Sequence, residues 1–360
     1  MQSGPDLDTV YQAIYALYRG TDISNKEKAS VWLGEFQNSI FAWQISDKLL
    51  REKRDVESSY FAAQTMRSKI HYSFHELPEN SHESLRDSLL QHLRQCDESM
   101  SRAIVTQLVL ALADLYLQVS SWTVPVGDLV NQFNTSSYHI YILLEILTML
   151  AEEANSRRLR IGANRRKQLR DDFLSQADIV LQFLSHCIEK FRENVTLVSH
   201  IFKCLGAWLS LSSVPTSFLA SSVLMERLFQ ILANLDCDKH LHDSATDCVV
   251  QALYLTENPG DHPELATTLF VKIHELQATY QLTVARDDED KLQNFCRIFT
   301  EMAESLLPFI VENASAPLGS LRTLDLLLDC VGHYDYSVSN AIKEMKIIDS
   351  NICISADEFS

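Results

Sequence analysis

Glycine and proline are scarce, nine and eight residues in a chain of 360. Both interrupt regular structure, so their shortage argues against a turn-rich β-sandwich and for long helices joined by short turns. Positive charge is also in deficit. Lysine and arginine total 31 against 48 carboxylates, a formal net charge of -17 with a pI near 5.1. A general nucleic-acid binder carries a basic stripe, so direct nucleic-acid binding is not expected. An acidic chain is instead open to a basic protein partner drawn in by long-range attraction. No stretch approaches the roughly 18 uninterrupted apolar residues of a membrane-spanning helix, so no insertion is expected. The opening MQSGPDLDTV has no basic region followed by an apolar core, so no signal peptide is expected. Among the eight cysteines (Cys96, Cys187, Cys204, Cys237, Cys248, Cys296, Cys330, Cys353) there is no C-x-x-C pair. Most sit in apolar helical runs, where a thiol packs as a small hydrophobe. Reduced thiols in cytosol or nucleus are expected.

Signatures of catalysis are missing too. The chain has no G-x-x-x-x-G-K, G-x-G-x-x-G, G-x-S-x-G or H-E-x-x-H, so neither enzyme activity nor a cofactor is expected. The nearest approach to a metal site is the group Cys237, Asp238, His240, His242 and Asp243. No fixed four-ligand spacing appears, so a polar inter-helix turn is the favoured reading and no metal is expected. Asn-x-Ser/Thr matches at Asn134, Asn194 and Asn313 are inert without secretion.

What is present is helical periodicity with 46% hydrophobic residues. The clearest stretch is Asp55 to Leu77, where Val56, Tyr60, Ala63, Met66, Ile70 and Phe74 form one stripe of a 3.6-residue period. Pro78 is expected to end it. Before it come 7–19, 25–38 and 40–52, with Val10, Ile14, Leu17, Ala29, Trp32, Leu33 and Phe36 as an inward set and Ser24 as an N-cap. After it come 81–96, 101–119, 126–133, 138–153, a long helix opened by the basic segment 157–170 and running to about Phe191, then 195–211, 217–235, 241–255, 263–284, 288–311 and 318–332. The equivalent helices recur at roughly 40–47 residues, the range of HEAT or armadillo repeats. The expected fold is therefore all-α, a HEAT/armadillo-like α-solenoid superhelix of antiparallel helical hairpins. Residues 1–120 read as N-terminal repeats, 121–332 as further repeats and 333–360 as a divergent tail with one short helix, 338–348.

Two charged clusters stand out. Arg157, Arg158, Arg160, Arg165, Arg166, Lys167 and Arg170 form a basic segment in an acidic chain, open to an acidic surface or nucleic acid, or simply a solvated loop and first turn. Asp287, Asp288, Glu289 and Asp290 open a helix, where caps and the helix dipole already account for them. A basic partner is the sharper reading.

The runs VWLGEFQNSIFAWQISDKLL (31–50), DVESSYFAAQTMRSKI (55–70), LRDSLL (85–90), RIGANRR (160–166) and ARDDEDKLQNFCRIFTE (285–301), in this order, resemble the transportin-SR branch of the importin-β (karyopherin) family of nuclear import receptors. The resemblance runs from about Tyr11 to Gly332. It implies a HEAT superhelix shuttling between nucleus and cytoplasm through nuclear pores, where it meets nucleoporin Phe-Gly repeats. It also implies binding of Ran-GTP through the second helices of the first repeats and import of serine/arginine-rich splicing factors. The contact residues it suggests for Ran are Trp32, Glu35, Gln64, Lys69, Gln107 and Asp114, with Asp287, Asp288 and Asp290 meeting a basic patch. Cargo would be gripped by C-terminal repeats beyond this chain, which is expected to be a shortened form. A HEAT scaffold for protein assembly with no transport role is the alternative.

Overall fold

In a computed structural model, residues 4–156, 158–159, 161–211, 214–258, 260–306 and 320–331 are described. They form helices joined by turns and short loops, with no strand among them. The chain divides into two compact units, Met1–Phe173 and Leu174–Ser360, and the division falls inside a helix rather than in a linker.

In the first unit α1 (Leu7–Arg19) packs on α2 (Ile23–Asn38), α3 (Phe41–Glu52) on α4 (Val56–Ser73), α5 (His82–Arg94) on α6 (Arg102–Gln118), and α7 (Val126–Phe133) on α8 (Ser137–Asn155). The second helix of each hairpin also packs on the next, α2 on α4, α4 on α6 and α6 on α8. The second unit begins within α9 (Ala163–Lys190). It continues through α10 (Val195–Leu209), α11 (Thr216–Ala220), α12 (Val223–Leu232), α13 (Lys239–Tyr254), α14 (Pro263–Glu275), α15 (Gln277–Arg286), α16 (Glu289–Ser305) and α17 (Ser320–Val331). Here α10 packs on α13, α13 on α16 and α16 on α17.

Short polar side chains stand in for the missing glycines at helix starts. Asp6, Asp22, Asp55, Ser136, Asn194, Ser222, Asp238 and Asp288 each accept a backbone N–H two or three residues on. Such caps contribute about 0.5–2 kcal/mol each. Two helices end on non-glycine residues in the left-handed region, Lys53 (φ 48°) and Asp287 (φ 57°).

The most enclosed element of the first unit is α6, not α4. Twelve of its 17 residues are buried, against nine of 18 in α4. Ala62 and Ala63 are fully buried, which lets α4 come close to its neighbours. Both ends of the expected α4 stripe leave the core, however. Val56 is 60% exposed, and Phe74 lies in a 3-10 turn after the helix stops at Ser73, short of Pro78. Other expected boundaries also shift. Asp22 rather than Ser24 caps α2. The 217–235 span breaks at Ser221–Ser222, where both hydroxyls bond back to the main chain and compete with the helix. The 263–284 span breaks at Leu276. The long helix starts at Ala163, after the basic loop. The expected helix 338–348 lies outside the described residues.

Among the described residues seven cysteines are free, and all but the half-buried Cys237 are buried. Among the described residues, no helix is long and apolar enough to cross a membrane.

Candidate partner-binding face

The second helices of the first unit carry the expected contact residues, and the structure divides them into two groups. Glu35 is exposed on α2, beside Val31 at 64% exposure. Trp32 is half-buried and stacks on Phe36 at 5.9 Å, which stacks in turn on Phe61 of α4. Gln64 and Gln107 are half-buried on α4 and α6. Tyr72, 76% exposed at the end of α4, was not anticipated. These side chains can meet a partner without repacking.

Lys69 and Asp114 cannot. Lys69 is buried, donates to the Glu76 carboxylate and lies 5.5 Å from the Trp43 ring centroid, while Trp43 Nε1 donates to the same carboxylate at 3.0 Å. Asp114 is fully buried against His71. Burial pushes the Asp114 carboxyl up to about 6, although the His71 hydrogen bond pulls it down. Both residues tie helices together. The family resemblance suggested them as contacts, but their positions face the seams between helices. A second polar tie, Gln37 to Thr65 Oγ1 at 2.8 Å, joins α2 to α4.

In the second unit half of the acidic run is occupied, and Glu289 is exposed without an ion pair to a described residue. Asp288 caps α16 and stands 3.4 Å from Lys291 Nζ. Asp290 pairs with Lys239 at 2.7 Å. Asp287 is exposed in its left-handed turn. The Lys239–Asp290 pair is the first rung of a ladder between α13 and α16. Asn294 donates to Asp243 at 2.7 Å, Arg297 to Asp247 at 2.5 Å, and Tyr254 to Glu301 at 3.1 Å. Positions 239, 243, 247 and 254 share one face of α13, so four partners on one face of α16 can line up with them. The i, i+4 spacing was visible in the sequence, but the partner helix some 50 residues on was not.

The basic segment also divides. Arg165 is buried, and its guanidinium donates to the carbonyls of Leu117 (3.1 Å), Ser120 (3.2 Å), Tyr116 (3.0 Å) and Trp122 (3.0 Å), closing the C-terminal end of α6. Arg166 does the same for Ala154, Ser156 and Leu159 after α8. Arg165 is thus buried rather than at the surface the sequence suggested, while Arg166 stays half-exposed. The planar fork of arginine satisfies carbonyls that a helix end leaves open. Arg158, Lys167 and Arg170 are exposed. Arg157 and Arg160 lie outside the described residues.

No metal-holding group occurs among the described residues. In the turn around Cys237, Asp238 caps α13 and His242 is buried against Asn294, while His240 points to solvent. Asp47, Ser88 and His92 also meet, but both Asp47 (2.9 Å) and Ser88 (3.3 Å) contact the same nitrogen, His92 Nε2. A hydrolytic triad needs carboxylate and nucleophile on opposite ring nitrogens, so this trio is a tie between α3 and α5.

Comparison with known families follows the same order along the chain. Residues 29–95 match the importin-β N-terminal domain, 101–249 the exportin 1-like protein family, and 287–341 the second TPR domain of transportin-3/importin-13. Together the three matches support a receptor of the importin-β, or karyopherin, family. Its members are transport receptors rather than enzymes. Transportin MOS14 of Arabidopsis thaliana is 26% identical over 342 residues, 92% of this chain and 34% of that protein. The mRNA transport regulator MTR10 of Saccharomyces cerevisiae is 29% identical over 331 residues, 86% of this chain and 32% of that protein. Human importin-13 is 26% identical over 342 residues, 91% and 34% respectively. The chain thus spans about a third of the length of these family members. Among solved structures, Kap121p is 12% identical, with a TM-score of 0.50 over 93% of this chain and 40% of that one, a likeness of fold alone. These findings agree with the expected solenoid of helical hairpins and with the resemblance carried by 31–50, 55–70 and 285–301.

Proposed function

We propose that this chain is the Ran-engaging part of a transportin-SR-type nuclear import receptor, with Ran-GTP bound along α2, α4 and α6. The reading rests on one observation, the collinear series of three karyopherin-type matches beginning with the importin-β N-terminal domain over α2 to α5. On those helices Glu35, Trp32, Gln64 and Gln107 are at least partly open to a partner, and Tyr72 adds an aromatic anchor of the type enriched at binding hot spots. Lys69 and Asp114 act behind that face by fixing its helices. In the second unit, Asp287 and Glu289 are the open members of the acidic run, and a basic patch on Ran would compete with Lys239 for Asp290. Serine/arginine-rich splicing factors as cargo, nucleoporin Phe-Gly repeats as pore contacts, and shuttling between nucleus and cytoplasm belong to this reading of the whole receptor.

The deciding experiment is binding of the 360-residue chain to Ran loaded with GTP and, separately, with GDP. Selective binding of the GTP form, weakened by Glu35→Lys and Tyr72→Ala with the fold intact, supports the proposal. Equal binding of both forms, or none by a folded chain, overturns it and favours a scaffold indifferent to nucleotide.

A further inference from the structure

Arg158, Arg165, Arg166, Lys167 and Arg170 lie close together at the loop after α8 and the start of α9, and no carboxylate occurs between Arg158 and Arg170. Arg165 and Arg166 donate to main-chain carbonyls. Carbonyls satisfy the N–H donors but carry no net charge, and the one carboxylate that offsets Arg165 is Asp172, further along α9 beside Asp171. Arg158, Lys167 and Arg170 are exposed and form no ion pair with a described residue. Elsewhere several exposed cations pair with carboxylates, as in Arg19–Glu57, Arg51–Asp47, Lys239–Asp290, Arg286–Asp236 and Arg297–Asp247. This corner is therefore a local positive pole on a chain whose formal net charge is -17. The pole is also rigidly built. The Arg165 fan fixes the first turn of α9 to the end of α6, and the Arg166 fan fixes the loop that carries Arg158. A partner thus meets cations whose backbone is already ordered, which lowers the entropic cost of binding.

We propose that this corner is a docking surface for a short acidic peptide segment, rich in Asp and Glu, on a partner protein. Charge complementarity selects the sign, and the extent of the patch selects the class. A nucleic-acid duplex carries charge along its whole length. It would run beyond the roughly 8–10 Å over which the patch acts at physiological salt and onto acidic surface. A segment with a few carboxylates can stay within the corner. The proposal does not depend on the Ran reading, since α2, α4 and α6 supply none of its exposed cations.

The test is fluorescence anisotropy of the full chain with a labelled Asp/Glu-rich peptide of about a dozen residues, against a Gly/Ser peptide of equal length, at low ionic strength where surface charge acts furthest. The acidic peptide is expected to bind and the neutral one not. Reversal of the exposed cations in R158E/K167E/R170E is expected to weaken binding at least about tenfold, with a shallower salt dependence. Neutralisation in R158Q/K167Q/R170Q is expected to give a smaller loss, and it serves as the second variant if charge reversal perturbs the fold. No binding of the acidic peptide, unchanged affinity in the folded variants, or displacement of the peptide by an equimolar oligonucleotide overturns the proposal.

Discussion

His71 Nδ1 stands 3.1 Å from Asp114 Oδ2 across the α4–α6 seam, and the other carboxylate oxygen of Asp114 is buried without a protein partner. Burial raises the Asp114 pKa to about 6, with His71 and Arg67 opposing and Glu153 reinforcing the rise. An unfolded aspartate titrates near ~3.9. Between those values the folded chain holds the extra proton, so this residue makes stability fall as pH rises through the window. Asp114→Asn, which cannot ionise, is expected to be at least as stable as the parent at neutral pH and to lose that advantage below about pH 4. Melting temperatures by circular dichroism across this range check it. A variant uniformly less stable at every pH contradicts it.

His242 has the opposite sign. Its ring is fully buried between α13 and α16, with Nδ1 3.1 Å from Asn294 Nδ2 and an edge contact to Phe295. Burial, aided by Lys291, lowers its pKa to about 4. The unfolded chain takes up a proton near ~6.5 and the folded chain resists it, so stability is lost as pH falls from there towards 4. His242→Gln is expected to cost roughly 1–3 kcal/mol at neutral pH, with the deficit narrowing on acidification. Urea unfolding at several pH values measures it. A deficit that widens at low pH would mean the ring is protonated in the folded state.

Arg165 closes four carbonyls with one side chain. Lysine keeps the charge but not the planar fork, so Arg165→Lys is expected to destabilise by about 2–4 kcal/mol. Exposed Lys167→Ala is expected to stay within about 0.5 kcal/mol. Chemical denaturation compares the two, and equal effects would refute the role given to the fan.

Gly20 ends α1, and a Cβ there would stand 2.4 Å from the Ala16 carbonyl oxygen. That contact is with backbone and cannot swing away. Gly20→Ala is expected to destabilise by roughly 1–3 kcal/mol. Gly34 lies inside α2 with nothing within 4 Å of a built Cβ, so Gly34→Ala is expected to stabilise by about 0.5–1 kcal/mol. Differential scanning calorimetry of the pair checks opposite signs for one chemical change.

The helices were legible because apolar periodicity and short polar caps are local signals. Val10, Ile14, Leu33 and Phe36 entered the core as their spacing requires. The burial of Lys69, Asp114 and Arg165 was not legible because their partners lie elsewhere along the chain or are backbone carbonyls, which have no sequence signature. The α13–α16 ladder escaped for the same reason. Each rung is half on one helix and half on another about 50 residues away. Glu35, Gln64 and Gln107 fell on accessible positions, where residue type and helix phase suffice.

The hydrogen bonds between successive hairpins share one property. Tyr11 reaches Glu52 across 41 residues, His71 reaches Asp114 across 43, Ser199 reaches Ser244 across 45, and Arg297 reaches Asp247 across 50. Each of these ties therefore closes once the next hairpin has left the ribosome, without waiting for the rest of the chain. Low contact order of this kind favours fast folding. Nearest-neighbour stacking makes stability a sum of hairpin and interface contributions. Damage at one seam should then fray the chain locally, and a hairpin's folding should track its synthesis.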